Sequence, residues 1–309
     1  MRLVEVAARD GLQNEPEVLP VAMRVELLER LADTGLRHLE AGAFVSPRWV
    51  PQMQQTQDVL SQLNRRPNIS YSVLVPNSKG FEFARAAGVD EIAVFTAASE
   101  AFAHHNINCS IAESLARFEP IMPLAAQAGI RVRGYISCVL GCPYTGDVDP
   151  QKVSTLARHL LDMGCYEVSL GDTTGIGTPR HTRELIEACA RQLPVGALAG
   201  HFHDTWGMAV ANVQAALEAG IRVFDGSVSA LGAVPTHRVP RVTWRPNPWY
   251  ACSRVRGSIP ASIWSGWSML PNGSTARCHG ACLRPWPGPS APIVVEAIIL
   301  ATSKRGGWQ

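Results

Sequence analysis

The sharpest chemical signal in this 309-residue chain is His201-Phe202-His203-Asp204. Residues two apart on a β-strand face the same side, so the two imidazoles would point together. Paired imidazoles need partners, and a divalent cation between them supplies one. A lone histidine in an apolar stretch is more often a satisfied core residue; the His-x-His spacing argues for the metal. A second cluster, Arg9-Asp10 followed by Gly11, Gln13 and Asn14, offers a carboxylate. One carboxylate and two imidazoles form a facial set that leaves positions open for substrate oxygens. Arg9 beside Asp10 has a plainer reading as an ion pair, and on a strand, which alternates its faces, one of the two would ordinarily point away. If the chain is already turning there, both side chains reach the same place, and a fixed guanidinium could hold an enolate oxygen or a carboxylate. Glu40 and Asp172-Thr173 are further polar positions that each close an apolar run.

These clusters need a scaffold that brings them together. Short apolar runs at 2–7, 37–43, 70–75, 91–96, 132–139, 166–170, 197–203 and 223–228 read as strands. Between them lie amphipathic stretches such as VAMRVELLERLADTG, GFEFARAAG, ESLARFEPIMPLAAQAG, QKVSTLARHLLDMG, HTRELIEACARQL and MAVANVQAALEAG. Gly35, Gly88, Gly129, Gly164 and Gly220 close several of them, as helix stops do. Strand and helix in alternation predict a parallel sheet covered by helices, an α/β fold. Eight strands favour a closed (β/α)8 barrel. An open doubly wound sheet calls for a glycine-rich phosphate turn after the first strand, and ARDGLQN is not one. In such a barrel, chemistry sits at the C-terminal ends of the strands. Arg9-Asp10 would end the first strand, Glu40 the second, Asp172 the sixth and the histidine pair the seventh, with only the eighth strand between Asp10 and the imidazoles.

Bulk properties narrow the function. With 46% apolar and 17% charged residues, the chain suits one barrel domain or two smaller ones. A net charge of +2 gives no argument for nucleic acid or a charged membrane surface. There is no run of about 20 apolar residues, so no membrane span is expected. The opening MRLVEVAARDGLQNE has no apolar signal-peptide core, and a cytoplasmic protein is expected. Eight cysteines are scattered without a small-scaffold spacing, which suits a reducing compartment. Cys109, Cys138, Cys142 and Cys165 read as structural, with Cys138 and Cys142 near the barrel mouth.

VEVAARDGLQNE, EAGAFVSPRWVPQM, AASEAFAHHNINCSIAES, RGYISCVLGCPYTG, GCYEVSLGDTTGIGTP and HFHDTWGMAVANVQAALEAG resemble segments of the hydroxymethylglutaryl-CoA lyases, continuously from Arg2 to about Gly232. FVSPRWVPQM and NINCS separate that family from the homocitrate and isopropylmalate synthases, which share the Arg-Asp, the His-x-His and the barrel. The resemblance implies a TIM barrel and an acyl-CoA substrate. It also implies Mg2+- or Mn2+-dependent cleavage of 3-hydroxy-3-methylglutaryl-CoA to acetyl-CoA and acetoacetate, a step of ketone-body formation and leucine degradation. It implies Asp10, His201 and His203 as metal ligands and Arg9 as the group that steadies the thioester enolate. Glu40 and Asp172 would be supporting acids, and Asp10 or a histidine the base, so Arg9, Asp10, Glu40, Asp172 and His201 form the expected catalytic set. Ala7-Ala8 departs from the Gly-Pro usual before Arg-Asp. A homodimer is expected by resemblance alone. Two other readings stand beside this one: another Claisen or aldol catalyst of the same superfamily, and an inactive acyl-CoA- or metal-binding relative.

The resemblance stops at a compositional break. Of the 26 acidic residues only Glu296 follows Gly232, and the last 77 residues hold nine Lys or Arg, ten Pro and six of the eight Trp. There the family carries the loop G-G-C-P-Y-A-P-G-A-S-G-N, whose cysteine supplies a proton to the enolate and whose last asparagine is a metal ligand. This chain instead reads AVPTHRVPRVTWRPNPWY. Joining the third base of each codon from Ala233 onward to the first two of the next permits C-P-Y-A-P-G-A-S-G-N-V-A-T-E. Arg256 to Trp264 likewise permits G-I-D-T-G-I-D-L, whereas Asn247-Pro248 and Tyr250-Ala251 do not allow the family residue. A single-base deletion near the codon for Gly232 is therefore expected. It divides the chain into a barrel at 1–232 and an out-of-frame tail at 233–309 that replaces the last helix and the signature loop. That aberrant tail should be largely irregular, RPWPGPSAP above all, with APIVVEAIILA a chance strand or helix and Cys278, His279 and Cys282 a chance likeness of a metal motif. Reduced stability and little lyase activity are expected of the chain as it stands.

Overall fold

Eight parallel strands close on themselves in chain order: β1 Arg2–Glu5, β2 His38–Ala43, β3 Ser70–Leu74, β4 Glu91–Ala97, β5 Arg131–Ser137, β6 Glu167–Asp172, β7 Leu198–Phe202 and β8 Val223–Gly226. The structure is a computed structural model that describes residues 1–228, all within the first of the chain's two units, Met1–Trp244. Closure rests on β8 pairing with β1 from Arg2↔Val223 to Glu5↔Gly226, so no strand among the described residues is left with an unpaired edge. The expectations for 233–309 lie outside the described residues.

The helices are α1 Val21–Asp33, α2 Thr56–Gln62, α3 Ser78–Ala86, α4 Glu100–Ile107, α5 Ile111–Phe118, α6 Ile121–Gln127, α7 Pro150–Met163, α8 Pro179–Ala190 and α9 Ala209–Glu218. Local chemistry sets their ends. Asp149 caps α7 by accepting from the Gln151 N–H, and Pro150 fills the first helical position, where a missing N–H matters least. Gly164 ends α7 at φ 118°, a left-handed conformation that side chains resist. All five glycines expected as helix stops take positive φ. Ser110 and Glu113 open α5 with a reciprocal capping box. The stretch 113–129, expected as one helix, is broken between α5 and α6 at Pro120, which has no N–H to continue the ladder and whose ring crowds the preceding turn. The short helices α2 and α4 add to those expected.

Strand parity divides the sheet into two faces. On β5, Gly134 faces Leu160 of α7, and a Cβ there would stand 3.1 Å from that side chain. Its neighbours Arg133 and Tyr135 point the other way, into the barrel, where Arg133 bonds Glu167 of β6 and Asp225 of β8. The interior therefore holds charge contributed by β5, β6 and β8. Elsewhere Val4, Val6, Ala199 and Val223 form a small apolar cluster.

Candidate metal centre

The chain leaves β1 through one π-helical turn, Ala7–Gly11, closed by the Gly11 N–H donating to the Val6 carbonyl at 3.1 Å. Such turns are rare and concentrate at functional sites. Ala7 and Ala8, both fully buried, leave room for it. The turn resolves the alternation problem posed by adjacent Arg9 and Asp10, because both side chains reach the mouth. Arg9 is buried. Its Nε donates to Glu40 Oε2 at 2.7 Å and its Nη1 to Asp10 Oδ1 at 2.7 Å, and the guanidinium lies 5.5 Å from the Tyr135 ring centroid.

His201, on β7, and His203, just past its end, aim their Nε2 atoms at one another across 3.0 Å. Asp10 Oδ2 stands 3.6 Å from the first and 3.8 Å from the second. Asp10, His201 and His203 thus each offer one ligand atom, all within 4.8 Å of one another. Two ring nitrogens facing each other beside a carboxylate can share a proton or surround a cation. An oxygen and two imidazole nitrogens are donors that Mg2+, Mn2+ and other first-row cations accept. Nδ1 of His203 is buried without a hydrogen-bond partner among the described residues, so no neighbour there fixes its tautomer. The residues present fit a divalent ion.

The electrostatics set the two rings apart. Burial, helped by His201, pulls the His203 pKa down to about 4, which keeps that ring neutral. Burial pulls His201 the same way, but its bond to Asp225 and the nearby Asp10 charge outweigh it and hold its pKa above the ordinary value. For Asp10, burial favours the neutral acid, yet Arg9 and both imidazoles overcome it and lower the pKa. Glu40 goes the other way, because burial dominates the attraction of Arg9 and raises its pKa.

Glu40 stands behind Arg9, and its Oε1 is buried with no partner among the described residues. Asp172 lies outside the three-residue cluster. Its Oδ2 accepts from the Gly177 N–H at 2.9 Å, so its carboxylate organises the loop that follows β6. Cys138 and Cys142 are buried beyond the end of β5, where Cys142 Sγ lies 2.9 Å from Ser99 Oγ. Sequence reasoning missed Asp225, Arg133 and Tyr135. Their signal was parity: Arg131, Arg133 and Tyr135 occupy alternate places in RVRGYIS, and an aspartate sits inside the four-residue strand VFDG.

A closed (β/α)8 barrel with a carboxylate and two imidazoles converging at its mouth is the architecture of a barrel enzyme. The chain belongs to the HMGL-like family, which it matches over residues 1–236. It is 62% identical over 235 residues to the hydroxymethylglutaryl-CoA lyase of Pseudomonas mevalonii, covering 76% of this chain and 78% of that one. It is similar to the crystal structure of hydroxymethylglutaryl-CoA lyase from Pseudomonas aeruginosa, with a TM-score of 0.75 at 57% identity over 76% of this chain and 78% of the other. A lyase from A. baumannii, solved with coenzyme A and 3-methylmalate, matches with a TM-score of 0.73 at 32% identity, covering 76% and 77% of the two chains. The family match ends at residue 236, close to the compositional break at Gly232. Among the described residues no helix is long and apolar enough to cross a membrane.

Proposed function

We propose that the barrel is a divalent-metal-dependent carbon–carbon lyase acting on 3-hydroxy-3-methylglutaryl-CoA, releasing acetyl-CoA and acetoacetate. The convergence of Asp10, His201 and His203 beside the fixed guanidinium of Arg9 carries this reading. Asp10 Oδ2 and the two Nε2 atoms would hold Mg2+ or Mn2+. Bound there, such an ion lowers the pKa of the substrate's tertiary hydroxyl and polarises its oxygens. Asp10 or one of the imidazoles takes the hydroxyl proton. Breaking the bond between C2 and C3 leaves an electron pair on the acetyl thioester, and Arg9, positioned by Glu40, stabilises the resulting enolate oxygen. Asp172 supports the site as a further acid, one oxygen holding the loop beside the mouth and the other unpartnered among the described residues. The similarity to a lyase crystallised with coenzyme A supports an acyl-CoA substrate.

The enolate also needs a proton. The cysteine and asparagine of the family's loop are absent from the segment after Leu231. We therefore propose that residues 233–309 are an out-of-frame tail and that the chain as it stands turns over poorly. The same absence favours the second reading, an acyl-CoA- or metal-binding protein without turnover. Two preparations test both: the 309-residue chain, and a chain expressed from DNA with one base restored near codon 232. Acetoacetate release from 3-hydroxy-3-methylglutaryl-CoA with Mn2+ should be slow in the first and fast in the second. An inactive restored chain would sink the lyase reading. Brisk turnover by the unrestored chain would sink the impairment, and an intact reading frame on resequencing would sink the tail proposal.

A further inference from the structure

Asp225 lies on β8, inside the barrel, with its side chain 1% exposed. Three donors converge on its carboxylate. Arg133 Nη2 donates to Oδ1 at 2.8 Å, Ser169 Oγ donates to Oδ2 at 2.7 Å, and His201 Nδ1 stands 3.0 Å from the same Oδ2. Arg133 is itself fixed, its Nε donating to Glu167 Oε1 at 2.8 Å and its Nη1 to the Tyr135 hydroxyl at 2.7 Å. Glu167 is anchored in turn by Arg2.

We propose that Asp225 is a positioning residue that locks His201 in the Nδ1–H tautomer, so that the Nε2 lone pair faces Asp10 and His203, and that Arg133 makes the lock one-directional. The inference rests on the metal-centre reading for its purpose but not for its geometry. A carboxylate can only accept, so a neutral His201 ring beside it must present Nδ1–H and leave Nε2 bare. Arginine can only donate, so Oδ1 of residue 225 must always be an acceptor. His203 differs, since its Nδ1 has no hydrogen-bond partner among the described residues. One ring is thus held and the other is free to adapt. Outer hydrogen bonds of this kind fix the tautomer and orientation of metal-binding imidazoles.

The pairing makes Asp225→Asn a directed perturbation. Arg133 keeps the amide oxygen, which turns the amide NH2 toward His201 Nδ1. That nitrogen must then accept, and the proton moves to Nε2, covering the lone pair. Adding Arg133→Met frees the amide to turn its oxygen back to His201.

The test uses the full chain labelled with 15N-histidine, followed up to about pH 9, well above the ordinary imidazole range, so that the His201 ring is read in its neutral form. Long-range 15N–1H spectra should show His201 as Nδ1–H in the unsubstituted protein and Nε2–H in Asp225→Asn. Mn2+ affinity, read from the free-ion electron paramagnetic resonance signal, should fall roughly 10–100-fold in Asp225→Asn and largely recover in the double variant. A folded Asp225→Asn protein with unchanged tautomer and affinity would show Asp225 to be only a partner for Arg133. An Nε2–H ring in the unsubstituted protein overturns the proposal without any variant, should the variants fail to fold. If the unsubstituted protein shows Nδ1–H yet binds no Mn2+, the metal reading falls and the tautomer assignment is supported.

Discussion

Replacing Arg9 by methionine should destabilise the barrel far more than its single position suggests. Glu40 is fully buried, and Arg9 Nε, at 2.7 Å, is its only hydrogen-bond partner among the described residues. Arg9→Met leaves that carboxylate in the interior with nothing opposite it. Removing one member of a buried ion pair typically costs about 3–5 kcal/mol. A domain of this size loses roughly 2–4 °C of Tm per kcal/mol, so the midpoint should drop by about 6–20 °C. Glu40→Gln should be milder, about 1.5–3 kcal/mol for the lost charged hydrogen bond, because Arg9 keeps Asp10 at 2.7 Å. The double variant should fall short of the sum of the two losses by roughly 2 kcal/mol, since the second change removes the group that the first stranded. Thermal unfolding of the four proteins at pH 7 measures this directly. A loss below about 1 kcal/mol in Arg9→Met, or singles that simply add, would refute the idea that Glu40 depends on Arg9 for its burial.

Other expectations follow from the same geometry. Substituting both His201 and His203 by alanine should abolish Mn2+ binding by the full chain; retained stoichiometric binding, read from the free Mn2+ resonance, would place the ion elsewhere. Burial raises the Glu5 pKa to about 7, against the N–H groups of Ala7 and Val228 that its Oε1 accepts. The fold therefore favours the protonated acid, and that stabilisation is complete below the ordinary carboxylate range and is lost as pH rises through about 7. It amounts to roughly 3 kcal/mol, so Glu5→Gln should flatten the fall in Tm between pH 5 and 8, and an equally steep fall in the variant would count against it. Gly177→Ala would place a methyl 2.3 Å from Leu140 Cδ1 and 2.7 Å from Asp172 Oδ2. It should cost about 1–3 kcal/mol in thermal unfolding, and an unchanged midpoint would mean the β6 loop is not held as described.

The barrel was legible because each level of the sequence agreed with the next: apolar runs, amphipathic stretches and the glycines that separate them all point to one topology. Asp10, His201 and His203 could be read as a set because strand parity places two imidazoles on one face and chain order brings the first strand within one strand of the seventh. The conformation that delivers Arg9 and Asp10 together was not legible, since nothing in Ala7-Ala8-Arg9-Asp10-Gly11 announces an i→i+5 turn over an ordinary one. Asp225 was hidden for another reason. Its meaning comes from Arg133, 92 residues earlier, and only closure of the barrel brings the two together. Asp172 is only half accounted for: Oδ2 accepts from its own loop at Gly177, while Oδ1 is buried without a hydrogen-bond partner among the described residues and the carboxyl feels the His201 ring.

The five-residue turn after β1 has a consequence for anyone judging the protein by its fold. A helical residue advances about 100° around its axis, so rewinding the same five residues as an ordinary turn, with none removed, would carry Asp10 out of phase with the two rings. No strand pairing involves that stretch, and far-ultraviolet circular dichroism would look the same. On the proposed reading of the cluster, such a protein would be a well-formed barrel without its cation site, and a good spectrum would be no witness to a working mouth.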